Sequence, residues 1–144
     1  TPTITLGDIT LKKYQHLTIK LKAGLNVISI GNITTAGVNN ISFSAPKGAV
    51  AVVNVTGALD LGASSQVFAN SNSVSPENLI WNIESPNPTF GKGVVFSGTV
   101  INVADDTTVD FGASSVVTGA VLTSGSIVAH AAIHVNFWPF TAAP

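Results

Sequence analysis

Histidine is the residue type in this chain best suited to metal or proton chemistry, and two of the three histidines are four residues apart. His130 and His134 stand in IVAHAAIHVNF, where apolar and polar side chains alternate. The alternation predicts one strand whose inward residues are Ala129, Ala131, Ile133 and Val135. Both histidines would then face outward, about 13 Å apart at ~3.3 Å per residue. Zinc ligands must lie about 2.0–2.1 Å from the ion, so we expect no shared metal.

The seven carboxylates are not spaced like a catalytic pair. Asp105 and Asp106 are adjacent, so a strand would turn them to opposite faces. A glycosidase needs two carboxylates about 5–10 Å apart across a cleft. The chain has no Gly-x-Ser-x-Gly elbow, no phosphate loop, no cysteine and no arginine. We therefore expect a protein that is not an enzyme, with no catalytic residue, no cofactor and no metal site.

An internal repeat is the clearest feature of the sequence. LDLGASSQVFA begins at Leu59 and VDFGASSVVTG begins at Val109, an offset of 50 residues. Asp60 and Asp110 stand before the two Gly-Ala-Ser-Ser segments, where an aspartate commonly bonds the backbone of its own turn. The repeat would then be one corner of the fold visited twice, which lets successive coils stack. The alternative is a ladder of Asp and Ser on an external face, able to hold Ca²⁺ or meet a polar surface.

The elements that carry these residues are predicted to be short strands. Hydrophobic residues make up 45% of the chain and charged residues 9%, and β-branched and small polar residues dominate. Turn signals fall at Gly7-Asp8, Ala23-Gly24 and Pro46-Lys47-Gly48, while Gly98, Gly112, Gly119 and Gly125 are predicted to end strands. ANSNSVSPEN (69–78) is predicted to be a loop with room for a short helix, LIWNI a strand, and ESPNPTFGKG a connection.

Such strands suit a β-solenoid or a β-sandwich, and the repeat favours the solenoid. In a solenoid equivalent corners recur with each coil, and small residues are needed where coils stack. The offset then spans two or three coils of ~18–25 residues each. We predict a single all-β domain over 1–144, a β-solenoid, with the β-sandwich as the alternative.

Charge is unevenly distributed along the chain. Residues 1–24 hold Lys12, Lys13, Lys20 and Lys22 against one acid, a net +3, and the remainder carries −4. This asymmetry is too weak for a nucleic-acid-binding face, and no apolar run reaches the ~20 residues of a membrane span. The two signs could complement each other between neighbouring copies, with Lys12 and Lys13 as contacts. The alternating Thr1, Thr3 and Thr5 could add a strand to a neighbouring copy or pair within their own domain.

The C-terminal part resembles a known family. NLIWNI (78–83), FSGTVINVADDTTVDF (96–111), SSVVTGAVLTSGSI (114–127) and IHVNFWPF (133–140) are similar to the choice-of-anchor A domain of secreted bacterial proteins. The resemblance covers roughly 48–140, preceded by the Lys-rich strands of 1–24, and departs from the family at VINVADD, where Leu-Ala-Pro-Asn-Ala is usual. A weaker similarity links LIWNI and FSGTVI to the bacterial and fungal ice-binding domain. The resemblance implies a β-helix-like fold, export and attachment at the cell surface.

These observations together predict an extracellular or cell-surface structural or adhesive domain. It would belong to a surface, a matrix or a filament, and could self-assemble by strand addition. Its partners would be other copies of itself or a matrix ligand, with no nucleic acid and no membrane insertion. The alternatives are ice binding, through aligned threonines, and collagen or carbohydrate binding, for which Trp138 is a candidate contact. Phe137 is a second candidate contact, although a Trp-Pro-Phe end is more typical of a cap on an apolar core.

Overall fold

The computed structural model describes residues 1–69, 74–138 and 140–141. In this part of the chain the secondary structure consists of strands and one 3₁₀ turn, Pro76–Asn78. The strands are β1 (Ile4–Thr5), β2 (Ile9–Leu11), β3 (His16–Lys20), β4 (Leu25–Ile30), β5 (Ile33–Thr35), β6 (Asn40–Ser44), β7 (Val50–Val55), β8 (Leu59–Leu61), β9 (Gln66–Ala69), β10 (Leu79–Ile83), β11 (Thr89–Phe90), β12 (Val95–Asn102), β13 (Thr108–Phe111), β14 (Val116–Thr123), β15 (Ser126–Ala129) and β16 (His134–Phe137).

The strands form a β-solenoid of about five turns, so the solenoid prediction is confirmed and the sandwich alternative is wrong. Every strand pairing is parallel, and each strand pairs with the equivalent strand of the neighbouring coil. Three faces result. The first face is a stack of β1, β4, β7, β10 and the carboxyl-terminal halves of β12 and β14. The second face is a stack of β2, β5, β8, β11, β13 and β15. The third face is a stack of β3, β6, β9, the amino-terminal halves of β12 and β14, and β16.

The core occupies the interior of the coils because alternate residues of each strand point inward. On the first face one interior column runs through Ile28, Val53, Trp81 and Val100, all fully buried. Interior positions of the central coils also hold an aromatic array: its ring centroids are 5.8 Å apart for Phe43–Trp81, 5.0 Å for Trp81–Phe96, 5.0 Å for Phe96–Phe90 and 4.6 Å for Phe90–Phe111. Parallel strands buried in this way explain the long β-branched runs.

The corner between the second and third faces is the same in every coil. One residue there has a positive φ at each level: Tyr14, Val38, Ser64, Gly93, Ser114 and Ala132. At the first five of these levels its N–H donates to a carbonyl of the next coil, for example Val38 to Ala63 at 2.8 Å and Ser64 to Lys92 at 2.8 Å. The corner therefore carries its own backbone ladder parallel to those of the faces.

Both Gly-Ala-Ser-Ser segments lie at this corner, two coils apart. Thr89 pairs with Asp60 on one side and with Asp110 on the other, so one coil lies between the two Gly-Ala-Ser-Ser segments. A Cβ on Gly62 would lie 2.5 Å from the Thr35 carbonyl oxygen, and one on Gly112 would lie 2.5 Å from the Lys92 nitrogen. The repeat is thus one corner visited twice, and its glycines let the coils stack.

Two glycines predicted to end strands lie inside them instead. Gly98 and Gly119 are partners in register within β12 and β14, with φ values of 113° and 152°. Their backbone bends the strand from the third face onto the first without breaking the ladder. The coil from Ile80 to its partner Thr99 is consequently shorter than the coil from Ile4 to its partner Ile28.

Other local predictions had mixed outcomes. LIWNI is a strand, β10, and the turns at Gly7-Asp8 and Pro46-Lys47-Gly48 lie between strands. In 69–78 the short helix is the 3₁₀ turn Pro76–Asn78, and 70–73 lie outside the described residues. ESPNPTFGKG is not only a connection, because β11 lies within it. Strand pairing of β11 with β8 and β13 overrides the preference of the nearby Pro and Gly residues for turns.

Candidate functional site: the outer ladders and the two ends

Asp60 and Asp110 belong to an outward ladder along the second face. The register aligns one outward residue from each of its strands: Thr10, Thr34, Asp60, Thr89, Asp110 and Val128. The prediction that each aspartate bonds its own turn is wrong within the described chain. Each turn is closed by a backbone bond, Ser65 N–H to Gly62 O or Ser115 N–H to Gly112 O, each 3.2 Å, while Asp60 is exposed and Asp110 contacts His130.

His130 and His134 do not share a strand. β15 ends at Ala129, a turn follows, and His134 begins β16 on the next face, because the repeated corner recurs here at Ala132. His130 Nε2 lies 3.1 Å from Asp110 Oδ1 in the preceding coil, and both side chains are about half exposed. Within residues 1–69, 74–138 and 140–141, no three or more His, Asp or Glu side chains cluster as metal ligands would.

The threonines at the start of the chain pair within the molecule. Thr3 N–H donates to the Val27 carbonyl at 2.7 Å, and the Thr3 hydroxyl accepts from Val27 N–H at 3.0 Å. β1 pairs with β4 through Thr5 and Ser29. One edge of β1 is thus used by its own chain, while Thr1 is exposed.

A ladder of side-chain oxygens lines the corner between the first and second faces. Asn32 N–H donates to Asp8 Oδ1 at 2.8 Å, and Ala58 N–H donates to Asn32 Oδ1 at 2.8 Å. The backbone bond from Asn32, helped by its side chain, holds the pKa of Asp8 below the ordinary value for aspartate. Gly31 and Gly57 make room for these oxygens, since a Cβ at either position would overlap one.

Four of the six lysines lie in the first coil. Lys12 and Lys13 are exposed at the corner after β2, with Lys13 Nζ 5.1 Å from the centre of the Tyr14 ring. Lys20 and Lys22 line a groove of about 420 Å³ together with Ile4. The first coil therefore presents both positive charge and partly buried apolar side chains.

The last coil exposes inward side chains on strands whose inward neighbours in the coil below are buried. Ile127 aligns with fully buried Val109, yet Ile127 is 50% exposed. Val135 aligns with buried Val117 and is 51% exposed, and Phe137 is 77% exposed. These are inward positions with no further coil of the described chain above them. The interior of the solenoid is consequently open at this end.

A groove of about 630 Å³ lies beside the open end, between the last coil and the C-terminal residues. Trp138 N–H donates to Gly119 O at 2.8 Å, Phe140 N–H to Thr99 Oγ1 at 3.0 Å, and Thr141 N–H to Glu77 O at 2.9 Å. These residues therefore return along the first face. Trp138 is half exposed. The groove is lined by Ile80, Thr99, Ile101, Ala120, Val121, Leu122, Ile127, Val135, Phe137 and Phe140.

Sequence reasoning missed Ile127 and Val135 as surface residues, whereas Phe137 was a candidate exposed aromatic and is 77% exposed. Their strands, SIVA and HVNF, alternate like the buried strands, since inward side chains have the same chemistry in every coil. The signal that could have found them is the register of the coils, because it shows which coil has no neighbour on one side.

The described part of the chain contains no helix long and apolar enough to cross a membrane. Comparisons with family models, with curated proteins and with solved structures find no match for this chain.

Proposed function

We propose that this chain is a non-enzymatic structural or adhesive domain of a cell surface, matrix or filament, and that it self-assembles. One observation carries the proposal: the interior side chains Ile127, Val135 and Phe137 are exposed at the last coil. Contiguous apolar surface of this kind marks an interaction site in soluble proteins. Unpaired strand edges at the same place offer backbone hydrogen bonds to an added strand.

The distribution of the other side chains supports a structural role. The asparagines at buried positions, Asn26, Asn39 and Asn102, bond the backbone of neighbouring turns. The ladders of the faces and corners extend through the whole stack. Such a stack is stiff, because each coil is bonded to the next along its length.

The assembly state of the chain tests this proposal. Sedimentation velocity over a hundredfold concentration range, with negative-stain microscopy of the same samples, should show reversible association and elongated particles. A species that stays monomeric at every concentration would contradict self-assembly.

A further inference from the structure

We propose that two copies join end to end, with the first coil of one copy stacked on the last coil of the next in the register of the solenoid. The inference rests on the proposed function, since it names the surfaces through which self-assembly occurs. Because the joined surfaces differ, each copy keeps a free end, and the association continues into a filament.

The interior columns supply the first argument. If the strand register continues across the junction, the inward residues of the second copy's first coil lie over the inward residues of the last coil. Ile4 of the second copy then lies over Val121, its Ile9 over Ile127, and its Leu17 over Val135. These three pairs, one on each face, are apolar, so the core passes from one copy into the next.

Charge supplies the second argument. Residues 1–24 carry a net +3, whereas residues 99–141 hold Asp105, Asp106 and Asp110 with no lysine or arginine. In the continued register Lys12 of the second copy lies above His130, whose imidazole contacts Asp110. The three aspartates lie one coil before the open end, and this nearby negative charge favours head-to-tail contact, whereas two first coils would repel each other.

Aromatic stacking supplies the third argument. Ile19 of the second copy would lie over Phe137, so Lys20 lies over the half-exposed Trp138. A lysine ammonium above an indole ring is a favourable cation–π arrangement. The most exposed aromatic residues of the last coil are thus covered by the second copy's third face.

Disulfide trapping tests the register, because the chain has no cysteine of its own. The double variant carries Thr10→Cys and Val128→Cys. These substitutions lie at outward positions on the first and last strands of the second face. Within one chain they are five strand spacings apart, about 24 Å, which no disulfide can span. Across the proposed junction they are neighbours at about 4.8 Å, within disulfide range.

The expected result is a ladder of covalent multimers from the double variant after mild oxidation, seen on non-reducing gels. Each single variant should give dimers at most, and slowly. The matched control is Thr34→Cys with Thr89→Cys, two outward positions on internal strands of the same face, and it should give no ladder.

Two results would overturn the inference. A double variant that links no faster than the control excludes the register, and rapid dimers from Thr10→Cys alone indicate a head-to-head contact. Sedimentation of the unmodified chain separates this failure from failure of the proposed function. If the chain associates but the double variant forms no ladder, the structural role stands and the end-to-end register is wrong.

Discussion

At the scale of single residues, this solenoid depends on where a side chain is absent. Gly119 is the sharpest case: its φ is 152°, and a Cβ there would overlap the Gly98 carbonyl oxygen of the coil below. Both the backbone conformation and the space exclude a side chain. Gly7 is the opposite case, because a Cβ added there would have no atom within 4 Å and its φ is not positive.

Gly119→Ala should therefore destabilise the protein by more than about 1 kcal/mol, because the strand must shift and adopt a strained φ. Gly7→Ala is the matched control and should change the free energy of unfolding by less than about 0.5 kcal/mol. Urea unfolding followed by circular dichroism measures both. Equal effects of the two substitutions would contradict the packing argument.

Asp8 provides a residue-scale prediction with a pH dependence. Its pKa is lowered by hydrogen bonds from Asn32, so its contribution to stability is present above the unfolded-state pKa of about 3.9. That contribution is lost as the pH falls through the lower folded-state pKa.

We expect the melting temperature of the unmodified chain to be higher than that of the Asp8→Asn variant at about pH 6. This difference in melting temperature should shrink towards about pH 2.5. The reason is that a charged carboxylate accepts a stronger hydrogen bond than an amide does, and protonation removes that advantage. Melting temperatures across this range provide the test. A difference that is constant from one end to the other would show that Asp8 makes no pH-linked contribution.

At the scale of elements, the repeated corner imposes one backbone conformation on six different residues. A left-handed φ suits glycine and asparagine, and it is a genuine outlier for a β-branched side chain. Val38 occupies the corner with a φ of 52° and is 41% exposed. The stacking of coils therefore overrides the local preference of valine.

Val38→Asn should raise stability by up to about 1 kcal/mol, since asparagine tolerates this φ and little buried apolar surface is lost. Val103→Asn is the matched control: Val103 is exposed and is not among the residues with a positive φ. Thermal melts of the two variants compare them directly. A gain for Val103→Asn as large as that for Val38→Asn would argue against strain at the corner.

The aromatic array is the second feature at the scale of elements. Phe111 is buried and lies 4.6 Å from Phe90 between ring centroids, whereas Phe137 of the last coil is largely exposed. Phe111→Ala should cost about 3–5 kcal/mol in unfolding free energy. Phe137→Ala, measured at a concentration where the chain is monomeric, should cost far less. A similar cost for both would mean that Phe137 is buried in the monomer.

At the scale of the whole molecule, the solenoid has two unlike ends: a lysine-rich first coil and an open apolar last coil. Closed folds bury such edges, but a stack of coils always leaves two. We therefore expect the ends, rather than the faces, to control the solution behaviour of this chain.

Val135→Asp should weaken self-association at least tenfold while leaving the fold intact. The carboxylate remains solvated at the open end of a monomer but would be buried without a partner at the junction. Val103→Asp, at an exposed position away from the last coil's interior, is the matched control and should associate like the unmodified chain. Sedimentation velocity measures both, and equal association would remove the last coil from the interface.

Salt provides an independent test at this scale. The attraction between the two ends should weaken when the salt concentration rises from about 0.01 M to about 1 M, where the screening length falls from about 30 Å to about 3 Å. Sedimentation of the unmodified chain should then show a smaller fraction of multimers. Association that strengthens with salt would point to apolar contacts alone.

Much of the fold could be predicted from the sequence. The β-branched alternation indicated short strands, and the spacing of the two Gly-Ala-Ser-Ser segments indicated stacked coils. The exceptions were local: Gly98 and Gly119 bend strands instead of ending them, and Thr89–Phe90 pair as a strand despite the nearby prolines. In each case the ladder of the neighbouring coil decides the conformation, and a local sequence signal contains no information about that neighbour.

By itself, the sequence determined the in-and-out alternation within most strands and that equivalent corners recur, because both follow from periodicities along the chain. Only the tertiary structure decided that His130 meets Asp110, and that Asp60 and Asp110 align on either side of Thr89. It alone decided that Ile127, Val135 and Phe137 are exposed rather than buried. The physical reason is that the burial of a residue depends on whether another coil lies above it. The sequence pattern of the residue's own strand is the same whether that coil is present or absent.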